Sequence, residues 1–194
     1  MTEKRALVTG GGKRLGLAMS RYLATRGHDV AVHYNSSAAG AEEAAHDIRA
    51  AGRTAALLQA DLLDEAQTAR LVERASEALG GPLTLLVNNA SIFEHDTIRT
   101  ATRDSWDRHV ESNLRAPFVL IQHFAAQAPL SPVDHEHRPV PQGLVVNILD
   151  QRVWRPSPEY ASYTVAKMAL WALTQTAAQE IGRASCRERV FPVV

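Results

Sequence analysis

The sequence predicts an α/β fold built as a doubly wound parallel sheet, on three observations. Five short apolar runs of strand length recur along the chain. Each is followed by a longer stretch with helical periodicity or alanine richness, and glycine, serine or asparagine marks the joints. Strands alternating with helices of this length are joined by right-handed crossovers, so helices cover both faces of one sheet. The 194 residues suit one such domain.

Ala6-Leu7-Val8 is the first run, and Gly10-Gly11-Gly12 turns the chain into a helix over Leu15–Arg26. There Leu15, Met19, Tyr22 and Leu23 fall at helical spacing before Gly27 stops the helix. Val30-Ala31-Val32 is the second strand, followed by Ser36-Ser37 and an alanine-rich helix from Ala38 to Ala51 that Gly52 closes. A third strand over Ala55–Leu58 leads to a helix over Asp64–Leu79 and the stop Gly80-Gly81-Pro82. Leu83–Val87 is the fourth strand, ending at Asn88-Asn89, with a long helix from Asp104 to Ala128 behind it. Leu144–Ile148 is the fifth strand, and Pro158 to about Glu180 the last helix. Pro129–Gly143 interrupts the rhythm with four prolines and reads as an exposed inserted loop. His135 and His137 flank Glu136 there, without the further ligands that a metal site needs.

Twenty-one basic side chains balance 21 acidic ones, so the chain has no broad positive field and nucleic acid is not an expected partner. No apolar run reaches membrane-spanning length, and the single cysteine, Cys186, can form no internal disulfide. Both observations lead us to expect a cytoplasmic protein with no membrane partner.

Ligands of parallel sheets sit beyond the carboxyl ends of the strands, which directs attention to the Gly10 turn, Asn88–Phe93 and Asp150. Thr9-Gly10-Gly11-Gly12-Lys13-Arg14-Leu15-Gly16 joins a strand to a helix, and its glycines let backbone amides approach a pyrophosphate at the helix start. A purely structural turn would use the same glycines. A dinucleotide site that prefers NAD carries a carboxylate about 20 residues on, to hold the ribose hydroxyl. Here that position reads His33-Tyr34-Asn35-Ser36-Ser37, with no acid, whereas Lys13, Arg14, Ser36 and Ser37 suit a 2′-phosphate. The expected cofactor is NADP(H), because cations at a helix N-terminus oppose the dipole unless an anion joins them.

Tyr163 and Lys167 stand four apart on the last helix and share one face. An ammonium near a phenol favours phenolate, so we expect Lys167 to lower the Tyr163 pKa and make it a better acid. Pro117 has no N–H, which frees the carbonyl of Asn113 to accept from a water or from Lys167 in a proton relay; a simple proline kink is the alternative. Asp150, after the fifth strand, is either a further acid or a turn cap.

Taken together, Thr9-Gly10-x-x-x-Arg14-Leu15-Gly16, Asp61-Leu62, Asn88-Asn89-Ala90, Asn113 and Tyr163-x-x-x-Lys167 resemble the short-chain dehydrogenases/reductases, in order from about residue 5 to 180. Two departures point to one branch. Arg14 replaces the usual middle glycine of the turn, and Asp150 replaces the usual serine after the fifth strand. With Lys13, His33-Tyr34, Ser91 and Phe93, these resemble the pteridine reductases. The resemblance implies a Rossmann-like sheet in the order 3-2-1-4-5 and NADPH-dependent reduction of a pterin or dihydrofolate. It implies catalytic roles for Asp150, Tyr163, Lys167 and Asn113. It assigns cofactor binding to Gly10, Lys13, Arg14, Leu15, Gly16, His33, Tyr34, Ser36, Ser37, Asp61, Leu62, Asn89, Ala90, Tyr163 and Lys167. Substrate contacts fall on Arg14, Ser91, Phe93, Asp150 and Tyr163, with Phe93 either stacking on the pterin or serving as a half-buried loop aromatic. A carbonyl or 3-oxoacyl reductase, or an inactive nucleotide-binding fragment, are the alternatives.

The family continues past the last helix with further strands and a substrate-covering loop. Here Ile181–Val190 crowds three arginines and also matches one reading frame of a common sequencing-adapter DNA. We therefore expect residues 1–180 to form an incomplete NADP-binding domain and 181–194 a non-native tail. The fifth strand would then be a bare sheet edge, and the family's homotetramer, packed through the two long helices, would be threatened.

Overall fold

β1 (Arg5–Val8), β2 (Asp29–Tyr34), β3 (Ala55–Gln59), β4 (Leu85–Asn88), β5 (Gly143–Ile148) and β6 (Glu188–Val193) form one parallel sheet in the order β3-β2-β1-β4-β5-β6. The structure is a computed structural model that describes residues 3–127, 132, 134–137, 140, 142–184 and 188–193. Much of the proline-rich Pro129–Gly143 insertion, and Cys186, lie outside the described residues.

The continuous apolar runs of the central strands follow from burial on both faces. Ala6, Val8, Val30, Val32, Leu85 and Val87 face one layer, where Ala24 of α1 (Arg14–Thr25) and Ala41, Ala44 and Ile48 of α2 (Ala38–Ala50) pack. Their alternates Leu7, Ala31, Leu86 and Val145 face the other layer. That layer is formed by α3 (Glu65–Ala69), α4 (Leu71–Ala78), α6 (Ala116–Gln127) and α7 (Ala161–Ala184), through Leu71, Val72, Leu120, Phe124 and Ala177. Each fully buried leucine or phenylalanine here stabilises the fold by about 2 kcal/mol.

α2 lies unusually close to the glycine turn. A Cβ on Gly40 would sit 2.2 Å from the Gly12 carbonyl oxygen, and Ala41, Ala44 and Ala45 are wholly buried. The alanine richness of this segment is what permits the approach.

Three boundaries differ from the sequence reading. The helix expected over Asp64–Leu79 breaks at Arg70 into α3 and α4. The long helix begins with α5 (Arg103–Val110) and passes through a π-helical turn at Glu111–Arg115, where the Ala116 N–H donates to the Glu111 carbonyl, before α6. Pro117 explains it: with no amide to close an i→i−4 bond, the ladder widens locally. The last helix starts at Ala161, not Pro158, because Tyr160 adopts a left-handed φ of 59°.

The bare edge expected at the fifth strand is absent. β6 pairs with β5 from Gly143↔Glu188 to Ile148↔Val193. Val190, Phe191 and Val193 suit a strand, and an edge position tolerates Pro192, whose missing N–H costs nothing on the open side. Among the described residues no helix is long and apolar enough to cross a membrane.

Candidate active site

The sheet order reverses between β1 and β4, and beyond their ladder the chain is stitched by side chains. Thr9 is buried, and its hydroxyl accepts from the Asn89 and Ala90 amides at 2.9 and 3.0 Å. Asn89 Nδ2 returns a bond to the Thr9 carbonyl at 2.8 Å. Below them Asn88 donates to Asn147, which donates to Thr174 of α7, so β4, β5 and α7 are tied together.

The glycine turn is tight enough to exclude side chains. Gly10 has φ +63°, and a Cβ on Gly16 would sit 2.1 Å from the Gly10 carbonyl oxygen. Arg14 holds φ +48°, a left-handed conformation that costs a non-glycine residue on the order of 1 kcal/mol. α1 starts with no side-chain cap and no acid in its first turn, with Lys13 and Arg14 beside its free amides. That N-terminus fits an anionic group held by backbone N–H. Ser36 is exposed, and Ser37 precedes α2 without capping it through its side chain.

His33 is bound to the backbone through both ring nitrogens. Its Nδ1 accepts from the Gly10 amide at 3.1 Å, which leaves Nε2 to donate to the Ala60 carbonyl at 3.1 Å. Both nitrogens are spent on backbone. Burial pushes the imidazole down to about 4, so it is a neutral strut under the turn.

A cavity of about 840 Å³ opens at this edge. It is lined by Gly10, Lys13, Arg14, Leu15, Gly16, His33, Asp61, Leu62, Asn89, Ala90, Ser91, Phe93, Asp150 and Tyr163 of the expected set, and by Asn35, Leu63, Ile92, Arg108 and Ser112, which the sequence did not single out. Tyr34, Ser36, Ser37, Asn113 and Lys167 are not on its wall.

Two expectations about the reacting groups change. The Tyr163 hydroxyl donates to Asp150 Oδ2 at 3.2 Å. Burial first, and then the Asp150 charge, pushes the phenol well above its ordinary value rather than below it. The Lys167 ammonium lies 5.7 Å from the Tyr163 ring centroid and does not offset those effects. Burial lowers Lys167 itself to about 8. Its Nζ donates to the Ile148 carbonyl at 2.9 Å, not to Asn113.

Asn113 is fully buried and works through its side chain: Nδ2 donates to the Ile92 carbonyl, while Oδ1 accepts from the Ile92 amide and the Ser91 hydroxyl. It fixes the loop that carries Ser91 and Phe93. Phe93 stacks on Tyr160, with centroids 4.1 Å apart and planes at 10°, and meets Tyr163 edge-on at 4.7 Å.

Several residues here carried no sequence signal. Asp96 is buried. Its carboxylate accepts from the Ser162 amide, the Ser162 hydroxyl and the Ser105 hydroxyl, and its carbonyl accepts from the Tyr160 and Ala161 amides. Against its burial, the bonds from Ser162 and Ser105 hold this carboxyl below its usual range. His109 accepts from the Glu94 amide at Nε2, so its Nδ1–H donates to Ser162 at 2.6 Å. Asp96 thus caps α7 from a distant loop, one residue before Tyr163. Arg152 and Tyr160 complete the wall around Phe93.

A family model described as short chain dehydrogenase matches residues 4–188. The chain is similar to the crystal structure of FolM alternative dihydrofolate reductase 1 from Brucella canis complexed with NADP, at 39% identity and TM-score 0.86, over 97% of this chain and 71% of that one. It is 31% identical to the short-chain dehydrogenase/reductase FrzI of Cladobotryum sp, covering 94% of this chain and 66% of that protein. It is 29% identical to the 3-oxoacyl-[acyl-carrier-protein] reductase FabG of Staphylococcus aureus, covering 92% and 68%. The chain therefore spans about two thirds of the length of these curated relatives.

Proposed function

The chain belongs to the short-chain dehydrogenase family, and from that premise we propose that it is an NADPH-dependent reductase of a planar ring containing a C=N bond, of the pterin or dihydrofolate class. The observation that carries the reading is the Tyr163–Asp150 hydrogen bond beside the Phe93 ring. The similarity to a dihydrofolate reductase complexed with NADP agrees with it.

The glycine turn and the start of α1 would hold the pyrophosphate, and Lys13, Arg14, Ser36 and Ser37 the 2′-phosphate. Asp61 and Leu62 would line the adenine end, and Asn89, Ala90 and Lys167 the nicotinamide end. When bound, NADPH supplies a hydride. This chain's residues supply the rest. Tyr163 is a neutral phenol at neutral pH and holds a proton for the ring nitrogen, which becomes strongly basic as hydride arrives, although its raised pKa makes it a weaker acid than a free phenol. Asp150 accepts from that hydroxyl and holds the phenol oxygen in place until a substrate nitrogen competes for the hydrogen. Phe93 offers a flat apolar face for an aromatic ring, and Ser91 a hydroxyl at its edge. Asn113 keeps both in place.

A 3-oxoacyl reductase is the second reading, favoured by Tyr163 and Lys167 and by the similarity to such an enzyme. A family-type tetramer is part of the same proposal, supported by the exposed apolar side chains Trp106 on α5 and Val165 and Met168 on α7. The deciding experiment is turnover of NADPH and of NADH with dihydrobiopterin, dihydrofolate and an acetoacetyl thioester. Oxidation of NADPH with the first two alone is expected. Preference for the thioester would transfer the assignment to the second reading, and nucleotide fluorescence quenching without any oxidation would mark the chain as a binding module.

A further inference from the structure

Arg152 lies two residues beyond Asp150, on a short 3-10 turn (Gln151–Val153) that Asp150 itself caps. Asp150 Oδ1 accepts from the Arg152 backbone amide at 2.9 Å and from its Nη1 at 3.3 Å. Oδ2 accepts from the same Nη1 at 3.4 Å and from the Tyr163 hydroxyl at 3.2 Å. The Arg152 guanidinium therefore holds both oxygens of the carboxylate that meets the phenol.

The same guanidinium lies 5.4 Å from the Phe93 ring centroid and 4.9 Å from that of Tyr160, the two rings that are stacked on one another. Arginine suits both contacts, because its charge pairs with a carboxylate while its plane lies against aromatic faces, which an ammonium does less well. Arg152 Nε is buried with no hydrogen-bond partner. The neighbouring cations are engaged elsewhere: Lys167 bonds the Ile148 carbonyl, and Arg108 pairs with Glu94.

We infer that Arg152 is a positioning residue for the reaction proposed above, a clamp that joins the Asp150–Tyr163 pair to the Phe93–Tyr160 wall. One side chain then fixes both the plate on which a planar substrate rests and the carboxylate that holds the phenol beside it. The inference rests on that proposed function for its kinetic half alone. Its geometric half concerns the free protein. The clamp also accounts for the strained Tyr160. The cost of its left-handed backbone is met by the Asp96 carbonyl, which accepts its N–H at 2.7 Å, and by the ring stack that Arg152 covers.

The test uses the whole chain with Arg152→Met, which keeps length without charge, and Arg152→Lys, which keeps charge without the planar fork. The chain has four phenylalanines, so ring-labelled phenylalanine gives a spectrum simple enough to assign Phe93 with a Phe93→Leu variant. In the unchanged protein the Tyr160 ring, stacked on Phe93 at 4.1 Å, should displace the Phe93 signal upfield. Arg152→Met should abolish that displacement, and Arg152→Lys should leave part of it. NADPH affinity should not change in either variant, whereas kcat/KM for a dihydropterin should fall about 10- to 100-fold in Arg152→Met and less in Arg152→Lys. An unaltered Phe93 signal in Arg152→Met overturns the inference whether or not the protein reduces anything. A lost displacement with undiminished turnover, or with equal loss of NADPH binding, overturns it as well. If the unchanged chain reduces no substrate while the displacement is lost as expected, the clamp stands and the proposed function falls. Should Arg152→Met fail to fold, Arg152→Lys carries the same readings.

Discussion

Tyr163 donates its phenolic hydrogen to Asp150 across 3.2 Å, from a ring that is almost wholly buried. Tyr163→Phe removes that hydrogen and little else, since the ring keeps its edge-on contact with Phe93. Turnover should fall by about 10²- to 10⁴-fold with NADPH affinity unchanged. Fluorescence titration of NADPH set beside steady-state rates checks both halves. Rates equal to those of the unmodified chain would show that the proton comes from elsewhere.

His33 gives a pH dependence with a defined sign. In the unfolded chain it takes up a proton near 6.5, and in the folded chain only near 4. Between those values the unfolded state holds more protons, so stability declines as the pH is lowered from 6.5 to about 4 and is level above 6.5. The full effect is about 3 kcal/mol. His33→Asn can still accept from the Gly10 amide but does not titrate. Urea unfolding at a series of pH values should show a shallower acid decline for the variant, and parallel curves would mean that His33 is protonated in the folded state.

The legible and the illegible parts of this molecule divide by sequence distance. Ala6–Val8 and Val30–Val32 announced themselves because strands buried on both faces are apolar at every position, and Tyr163 and Lys167 because four residues are one helical turn. Pro117 foretold a break in the long helix near Asn113, but not that the Asn113 side chain would bind the Ile92 backbone, which depends on where a loop 21 residues away comes to rest. Asp96, His109 and Ser162 meet across separations of 66 and 53 residues, with no spacing that marks them. β6 escaped notice because its strand character comes from the β5 ladder as much as from its own residues.

Asp96 is the member of that network whose loss should be felt most. Its carboxylate receives three donors at the start of α7, where it also complements the helix dipole. Asp96→Asn sets an amide N–H₂ against hydroxyls that had been donating, so at least one buried group loses its partner. The expected cost is about 1–3 kcal/mol in urea unfolding. Amide hydrogen exchange at Tyr160, Ala161 and Ser162 should accelerate beyond what that global loss explains. Protection unchanged at these three amides would show that α7 needs no cap from the loop.

Gly40 sets two magnitudes against each other. It lies inside α2, where replacing glycine by alanine ordinarily stabilises a helix by about 1 kcal/mol. Here the new Cβ would come within 2.2 Å of the Gly12 carbonyl oxygen, a backbone atom that cannot swing aside. Gly12 is equally confined, because its own Cβ would meet the Ala41 amide nitrogen at 2.7 Å. Relief requires α2 to move off the glycine turn, opening the layer formed by Ala41, Ala44 and Ile48. Such overpacking costs about 1–3 kcal/mol and outweighs the propensity gain. Gly40→Ala should therefore lower the urea midpoint, and it should weaken NADPH binding, because the displaced turn is the one proposed above to present its amides to phosphate. A stability gain near the helix-propensity value would mean that α2 slides freely over the turn and that its close approach has no part in shaping the site.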